Sequence, residues 1–66
     1  MHPTTDKFTV IQIHVETLAV YDFKKSLPLN TALSIISDML QVDYKINNDL
    51  PYIYFAKIVS RETNEN

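Results

Sequence analysis

The side chains best suited to chemistry are His14 and Glu16, which lie two positions apart in a stretch with strand character. Residues i and i+2 of a strand share a face, so this pair has the spacing of half a metal site or of an acid/base pair. A zinc site needs three or four ligands, however, and the chain offers only one other histidine, His2, and no cysteine. A nucleophilic serine would also depend on His14 as its base. The sequence therefore predicts no catalytic residue, no metal ligand and no cofactor.

Composition excludes further classes of function. The chain has 66 residues, eight acidic and six basic side chains and a formal charge of −2, so a basic patch for binding nucleic acid phosphates is not expected. It contains no glycine, which removes the phosphate-binding loops of nucleotide-binding proteins. No apolar run approaches the length of a membrane span, and the N-terminus has no signal-peptide pattern. We expect a cytoplasmic protein with no membrane contact.

The elements that position these side chains begin with Lys7 to Lys25, a stretch rich in β-branched and aromatic residues. Fully extended it would span about 60 Å at about 3.3 Å per residue, which a domain of this size cannot hold. A hairpin that turns near His14 to Thr17 is therefore predicted.

A helix follows the Leu27-Pro28-Leu29 break, with Asn30 as its predicted N-cap and a span from Thr31 to about Val42. Its apolar sector is wider than one small sheet requires, which favours contact with a second subunit. The sector contains Ala32, Leu33, Ile35, Ile36, Met39, Leu40 and Val42.

A polar connection from Asp43 to Asp49, with a short extended piece at Tyr44 to Ile46, leads to a last strand from Tyr52 to Ser60. The prediction is one α+β domain over residues 1–66, of order ββαβ, with disordered tails at 1–6 and 61–66. A three-stranded antiparallel or mixed sheet carries the helix on one face, and a homodimer forms through the sheet or the helix.

The sequence supports two binding functions for this fold, one with single-stranded nucleic acid and one with another protein as the partner. Tyr52 and Tyr54 share a strand face near Lys57 and Arg61, so they could stack the bases of single-stranded nucleic acid in a small regulatory protein. Alternatively, the scattered acids could imitate a phosphate backbone toward a protein with a basic groove, and an apolar side chain would then slow dissociation. In the second case nucleic acid is not bound directly.

The run from Tyr21 to Leu29, with Asp22 between two aromatics, then two lysines and Leu-Pro-Leu, resembles the small dimeric inhibitors of uracil-DNA glycosylase carried by some Bacillus phages. The resemblance implies a homodimeric DNA mimic that binds the glycosylase in the host cytoplasm. It also implies that Asp22 lies in the contact surface and that an apolar side chain at the helix start enters a pocket of the enzyme. That position matches Ala32, where the family has phenylalanine, so Leu29 or Leu33 would substitute, with Ile36 further along the same sector.

A second resemblance is to the β-grasp fold of ubiquitin, through the segment from Ile11 to Leu18 and a helix that starts after Leu29-Asn30-Thr31. It also implies the order ββαβ. Because the chain has no Gly-Gly tail, it implies an interaction module and not a conjugated modifier.

Overall fold

The computed structural model describes residues 6–60 and contains three strands and one helix. These are β1 (Lys7–His14), β2 (Val20–Asp22), α1 (Leu29–Asn47) and β3 (Tyr52–Ser60). The strands form one sheet in the order β2-β1-β3, and both strand pairs are antiparallel. The predicted α+β fold is confirmed, and the sheet is antiparallel and not mixed. The tails predicted at 1–6 and 61–66 lie outside the described residues, except for Asp6.

The β1–β2 hairpin turns where the sequence predicted, over residues 15–17. The His14 N–H donates to the Ala19 carbonyl at 3.0 Å, and the His14 carbonyl accepts from the Leu18 N–H at 2.8 Å. The His14 imidazole Nδ1 accepts from the N–H groups of Glu16 and Thr17, both at 3.2 Å. Because one ring nitrogen accepts two backbone N–H groups, His14 stabilises this turn. Within the described residues, no hydrogen bond joins its imidazole to the Glu16 carboxylate, which an acid/base pair would require.

The second strand is shorter than its sequence suggested, because the chain turns at Lys24, whose φ is 56°. The following residues still run beside β1. The Phe23 N–H donates to the Val10 carbonyl at 3.0 Å, and Phe8 and Leu27 exchange backbone hydrogen bonds of 2.7 and 2.8 Å. The chain is thus held to β1 until it enters the helix.

The helix is longer at both ends than predicted. Its N-cap is Pro28 and not Asn30, and the Pro28 carbonyl accepts the first helical hydrogen bond, from Ala32, at 3.0 Å. Proline suits this position because it has no N–H to leave unpaired. The extended piece predicted at Tyr44 to Ile46 was wrong, because the helix continues to Asn47. Its C-cap is Asn48, which adopts the left-handed conformation (φ 54°, ψ 33°) that asparagine tolerates.

The helix covers one face of the sheet. The Tyr54 hydroxyl donates to Asp43 of α1, so the side chain of Tyr54 lies on the face that the helix covers. Tyr54 pairs with Gln12 of β1, and directly paired residues of antiparallel strands share a face. The same face carries Val10, which is fully buried, as is Ala32 of α1. We call the other side of the sheet the open face. It comprises Thr9, Ile11, Ile13, Val20, Asp22, Ile53, Phe55 and Lys57.

Candidate functional site

The start of α1 presents two leucines to solvent. Leu29 and Leu33 lie one helical turn apart and are 37% and 50% exposed. Between them Ala32 is fully buried, so in this structure its side chain is not accessible to a partner, and Ile36 is half-buried on the side of the helix that packs on the sheet. Of the four apolar residues predicted to contact a partner, the structure therefore presents the pair Leu29 and Leu33, while Ala32 and Ile36 hold the helix in place.

Asp22 lies on the open face, opposite the helix. Its Oδ1 accepts from the Lys24 N–H at 2.7 Å and from the Thr9 hydroxyl at 3.0 Å. The backbone hydrogen bond from Lys24 is the largest cause that lowers the pKa of Asp22, followed by that from Thr9 and by the charges of Lys57 and Lys24. The structure thus does not join Asp22 to Leu29 and Leu33 in one patch. Its carboxylate stabilises the turn after β2.

Thr9 completes this arrangement from the central strand. Its side chain is fully buried, and its hydroxyl both donates to Asp22 and accepts from the Lys25 N–H at 2.9 Å. A buried hydroxyl with both roles satisfied is well suited to fixing a turn. Sequence reasoning missed this group, because a single threonine in a β-branched strand gives no signal beyond strand propensity.

The other acidic side chains are dispersed over the described residues. Asp38 is exposed on the helix and Glu16 on the hairpin turn, whereas Asp49 accepts from the Leu50 N–H at 2.7 Å. Asp43 is half-buried against the sheet through Tyr54. The acids therefore form no single row beside the exposed leucines.

The two tyrosines considered for base stacking face the helix. The Tyr54 hydroxyl donates to Asp43 Oδ2 and accepts from Gln12 Nε2 at 3.1 Å. Burial and the hydrogen bond to Asp43 raise the pKa of Tyr54. The Tyr52 ring packs edge-on against His14, with 5.2 Å between the ring centroids. Since both rings are half-buried in packing between elements, they form no open stacking surface.

Two exposed apolar surfaces were not among the predicted contacts. On β3, Ile53 and Phe55 of the open face are exposed, and so is Val59 near the end of the strand. In the sequence these residues alternate with Tyr52, Tyr54 and Ile58, so both faces of the strand are apolar. A strand of this kind needs a packing partner on each face, and that pattern indicated the exposed surface. A shallow apolar depression lies at the other end of α1, lined by Leu40, Gln41, Tyr44, Lys45 and Leu50.

Within residues 6–60, no group of three or more histidine, cysteine, aspartate or glutamate side chains is placed to hold a metal ion. In the same range, α1 is not long and apolar enough to cross a membrane. What the described structure offers a partner is apolar surface on the helix start, on the open face and at the helix end.

Comparison with known proteins gave no match. No family model, no curated protein and no solved structure is similar to this chain at a significant level.

Proposed function

We propose that this chain is a non-catalytic, cytoplasmic inhibitor that binds another protein, and that its target is uracil-DNA glycosylase. The observation that carries the proposal is the exposed pair Leu29 and Leu33 at the start of a helix anchored to the sheet by Ala32 and Ile36. Two apolar side chains held on a rigid helix lose little conformational entropy when they enter a pocket. This is the role that the resemblance assigns to the helix start.

The charge of the chain agrees with such a target. An enzyme that binds DNA has a basic groove, and a protein with eight acids and six basic residues is attracted toward it over long range. Because the acids of the described residues are dispersed, we propose that charge steers the approach and that the leucine pair supplies slow dissociation. The inhibitor occupies the groove in place of DNA, acts as a homodimer and does not itself bind nucleic acid.

The test is excision of uracil from a duplex by purified uracil-DNA glycosylase, with this protein equimolar and in large excess. We expect excision to stop and a stable complex to form on gel filtration. Full excision in large excess refutes this target. Binding of a uracil-free duplex by the protein alone, with affinity that falls steeply with salt, would instead support a nucleic-acid-binding function.

A matched pair of variants tests the surface. Leu33→Asp places a charge in the proposed contact, and Val42→Asp places the same charge near the other end of the helix, on a side chain of nearly equal exposure, 50% against 49%. Leu33→Asp should weaken inhibition by about tenfold or more, which corresponds to about 1.4 kcal/mol, whereas Val42→Asp should inhibit like the parent protein. Equal inhibition by both variants would exclude the helix start as the contact.

A further inference from the structure

The open face of the sheet is bounded at one end by a turn of the chain. Phe23 and Leu27 both bond to the backbone of β1, whereas the residues between them leave the plane of the sheet. They pass over the open face, because the Lys25 N–H donates to the hydroxyl of Thr9, whose side chain lies on that face. Thr9 is fully buried beneath them. We call residues 24–26 the lysine turn, and it forms a ridge across this end of the face.

Two rows of paired side chains cross the rest of the open face. One row is Val20, Ile13 and Ile53, and the other is Asp22, Ile11 and Phe55. The outer apolar members, Val20, Ile53 and Phe55, are between 44% and 65% exposed. The carboxylate of Asp22 is already hydrogen-bonded within the chain. These rows are therefore an apolar surface that needs a packing partner.

Positive charge is concentrated at the ridge end of the face. Lys24 and Lys25 are exposed on the lysine turn, and Lys57 is exposed on β3, where it pairs with Thr9. The charges of Lys57 and Lys24 both lower the pKa of Asp22, so both ammonium groups act on the same carboxylate. Three positive charges thus stand around one carboxylate, and this end of the face attracts negative charge.

The dimensions of the face match those of one helix. Three strands about 4.8 Å apart give a surface about 10 Å wide, which is the diameter of a helix. Along β3, Ile53 and Lys57 lie about 14 Å apart, a distance that a helix covers with about nine residues. The other face of the sheet is already covered by α1, and helices on both faces of one sheet are a common layer arrangement.

We propose that the open face binds an amphipathic helix of another protein, with acidic side chains at the end that lies over the lysine turn. The apolar stripe of this helix packs on Val20, Ile53 and Phe55. Its carboxylates pair with Lys24 and Lys57, which fix its position along the strands. This surface is separate from the leucine pair of α1, so the inference does not depend on the glycosylase as the target.

Other occupants fit the face less well. A flat lipid surface would meet the lysine turn first and leave the apolar rows partly uncovered. Two copies packed face to face would set their lysine turns either against each other or on the apolar rows of the other copy. Like charges repel in the first arrangement, and the second desolvates ammonium groups without a partner.

Fluorescence anisotropy of two labelled synthetic peptides tests the proposal. Both are helices of about ten residues, held helical by a side-chain link, with leucine at positions i, i+3, i+4 and i+7. One has glutamate and the other lysine at the polar positions. We expect saturable binding of the acidic peptide at micromolar concentrations and binding of the basic one that is weaker by about tenfold or more. Equal binding of the two peptides, or no binding of the acidic one at millimolar protein, overturns the proposal.

A matched pair of lysine variants locates the site. Lys57→Glu reverses a charge on the open face, whereas Lys45→Glu reverses an exposed charge in the last turn of α1. Lys57→Glu should weaken binding of the acidic peptide by about tenfold or more, and Lys45→Glu should bind it like the parent protein. Equal losses in the two variants would mean that net charge alone governs binding, which contradicts the proposal.

Nuclear magnetic resonance of the unaltered protein decides the location without any variant. Saturation with the acidic peptide should shift the amide resonances of Val20, Ile53 and Phe55, and shifts confined to α1 would refute the site. Vesicles of phosphatidylserine and phosphatidylcholine should leave the protein in the supernatant on sedimentation. Cosedimentation that Lys57→Glu abolishes would assign the face to a lipid surface and overturn the helix. Uracil excision is measured separately, so its outcome and these outcomes are independent.

Discussion

Replacing Tyr54 with phenylalanine removes one hydroxyl that joins the helix to the sheet. That hydroxyl donates to Asp43 Oδ2 and accepts from Gln12 Nε2. A hydrogen bond to a charged group contributes about 1.5 to 3 kcal/mol, and water can partly replace it at a half-buried site. We therefore expect Tyr54→Phe to lower the free energy of unfolding by about 1 to 2 kcal/mol.

Urea unfolding followed by circular dichroism measures this loss. For a domain with a slope near 1 kcal/mol per molar urea, the midpoint should fall by about 1 to 2 M. Tyr52→Phe is the matched control, because Tyr52 has the same strand and the same face and packs on His14 through its ring. It should change the free energy by less than about 0.5 kcal/mol. All proteins are compared at one concentration, because the stability of the proposed homodimer depends on it.

A double-mutant cycle with Asp43→Ala isolates the contact, because alanine has no acceptor for the Tyr54 hydroxyl. If the hydroxyl acts through Asp43, the two substitutions should be less than additive by about 1 kcal/mol. Additive losses, or equal losses for Tyr52→Phe and Tyr54→Phe, would refute the reasoning.

The free energy of unfolding at alkaline pH provides a second measurement on the same hydroxyl. Folding raises the pKa of Tyr54, so the folded state holds the phenolic proton more tightly than the unfolded state does. The resulting stabilisation is fully present below about pH 10 and is lost as the pH rises through the raised pKa. Tyr54→Phe should lack this part of the pH dependence. An unchanged alkaline limb in the variant would mean that another group causes it.

Three further outcomes are expected. Thr9→Val should cost about 1 to 3 kcal/mol, because it removes a buried hydroxyl that donates to Asp22 and accepts from the Lys25 N–H. Thr17→Val, on the exposed turn, should cost under about 0.5 kcal/mol, and similar losses in urea unfolding would contradict the role given to Thr9. Leu18→Gly should stabilise the protein by about 0.5 to 1 kcal/mol, because Leu18 is 68% exposed and has a φ of 62°, a conformation that glycine adopts without strain. A gain of the same size from Leu18→Ala would argue against backbone strain. Because folding lowers the pKa of Asp22, its contribution is present above about pH 4 and is lost as the pH falls through the lowered pKa; acid unfolding of Asp22→Asn should lack that loss.

The strands and the hairpin could be predicted because their signals are local. Alternation of apolar residues set the bounds of β3, and the length of the first stretch required a turn near His14. The ends of the helix were missed for physical reasons. Pro28 can begin a helix as well as precede one, and the segment after Val42 contains no glycine or proline to end it before Asn48.

The candidate site was only partly predictable. The resemblance named Leu29 and Leu33, but the predicted helix began at Thr31, so their position one turn apart on α1 was not predicted. The sequence also could not tell that Ala32 would be buried between them. Asp22 was assigned to the same surface because the resemblance implied it. A strand alternates its side chains between two faces, and only the three-dimensional structure reveals which face the helix covers. Asp22 is on the other one.

The strand order also has a consequence for the rate of folding. β1 is the central strand, yet its two partners come from very different distances: Ile13 pairs with Val20 in the hairpin, while Thr9 pairs with Lys57 after the whole helix has intervened. The hairpin and the helix can form within microseconds, since their contacts are local. The β1–β3 pairing must first close a long loop. We expect this docking to be the barrier that limits folding, and substitutions in β3 to change the folding rate more than those in β2.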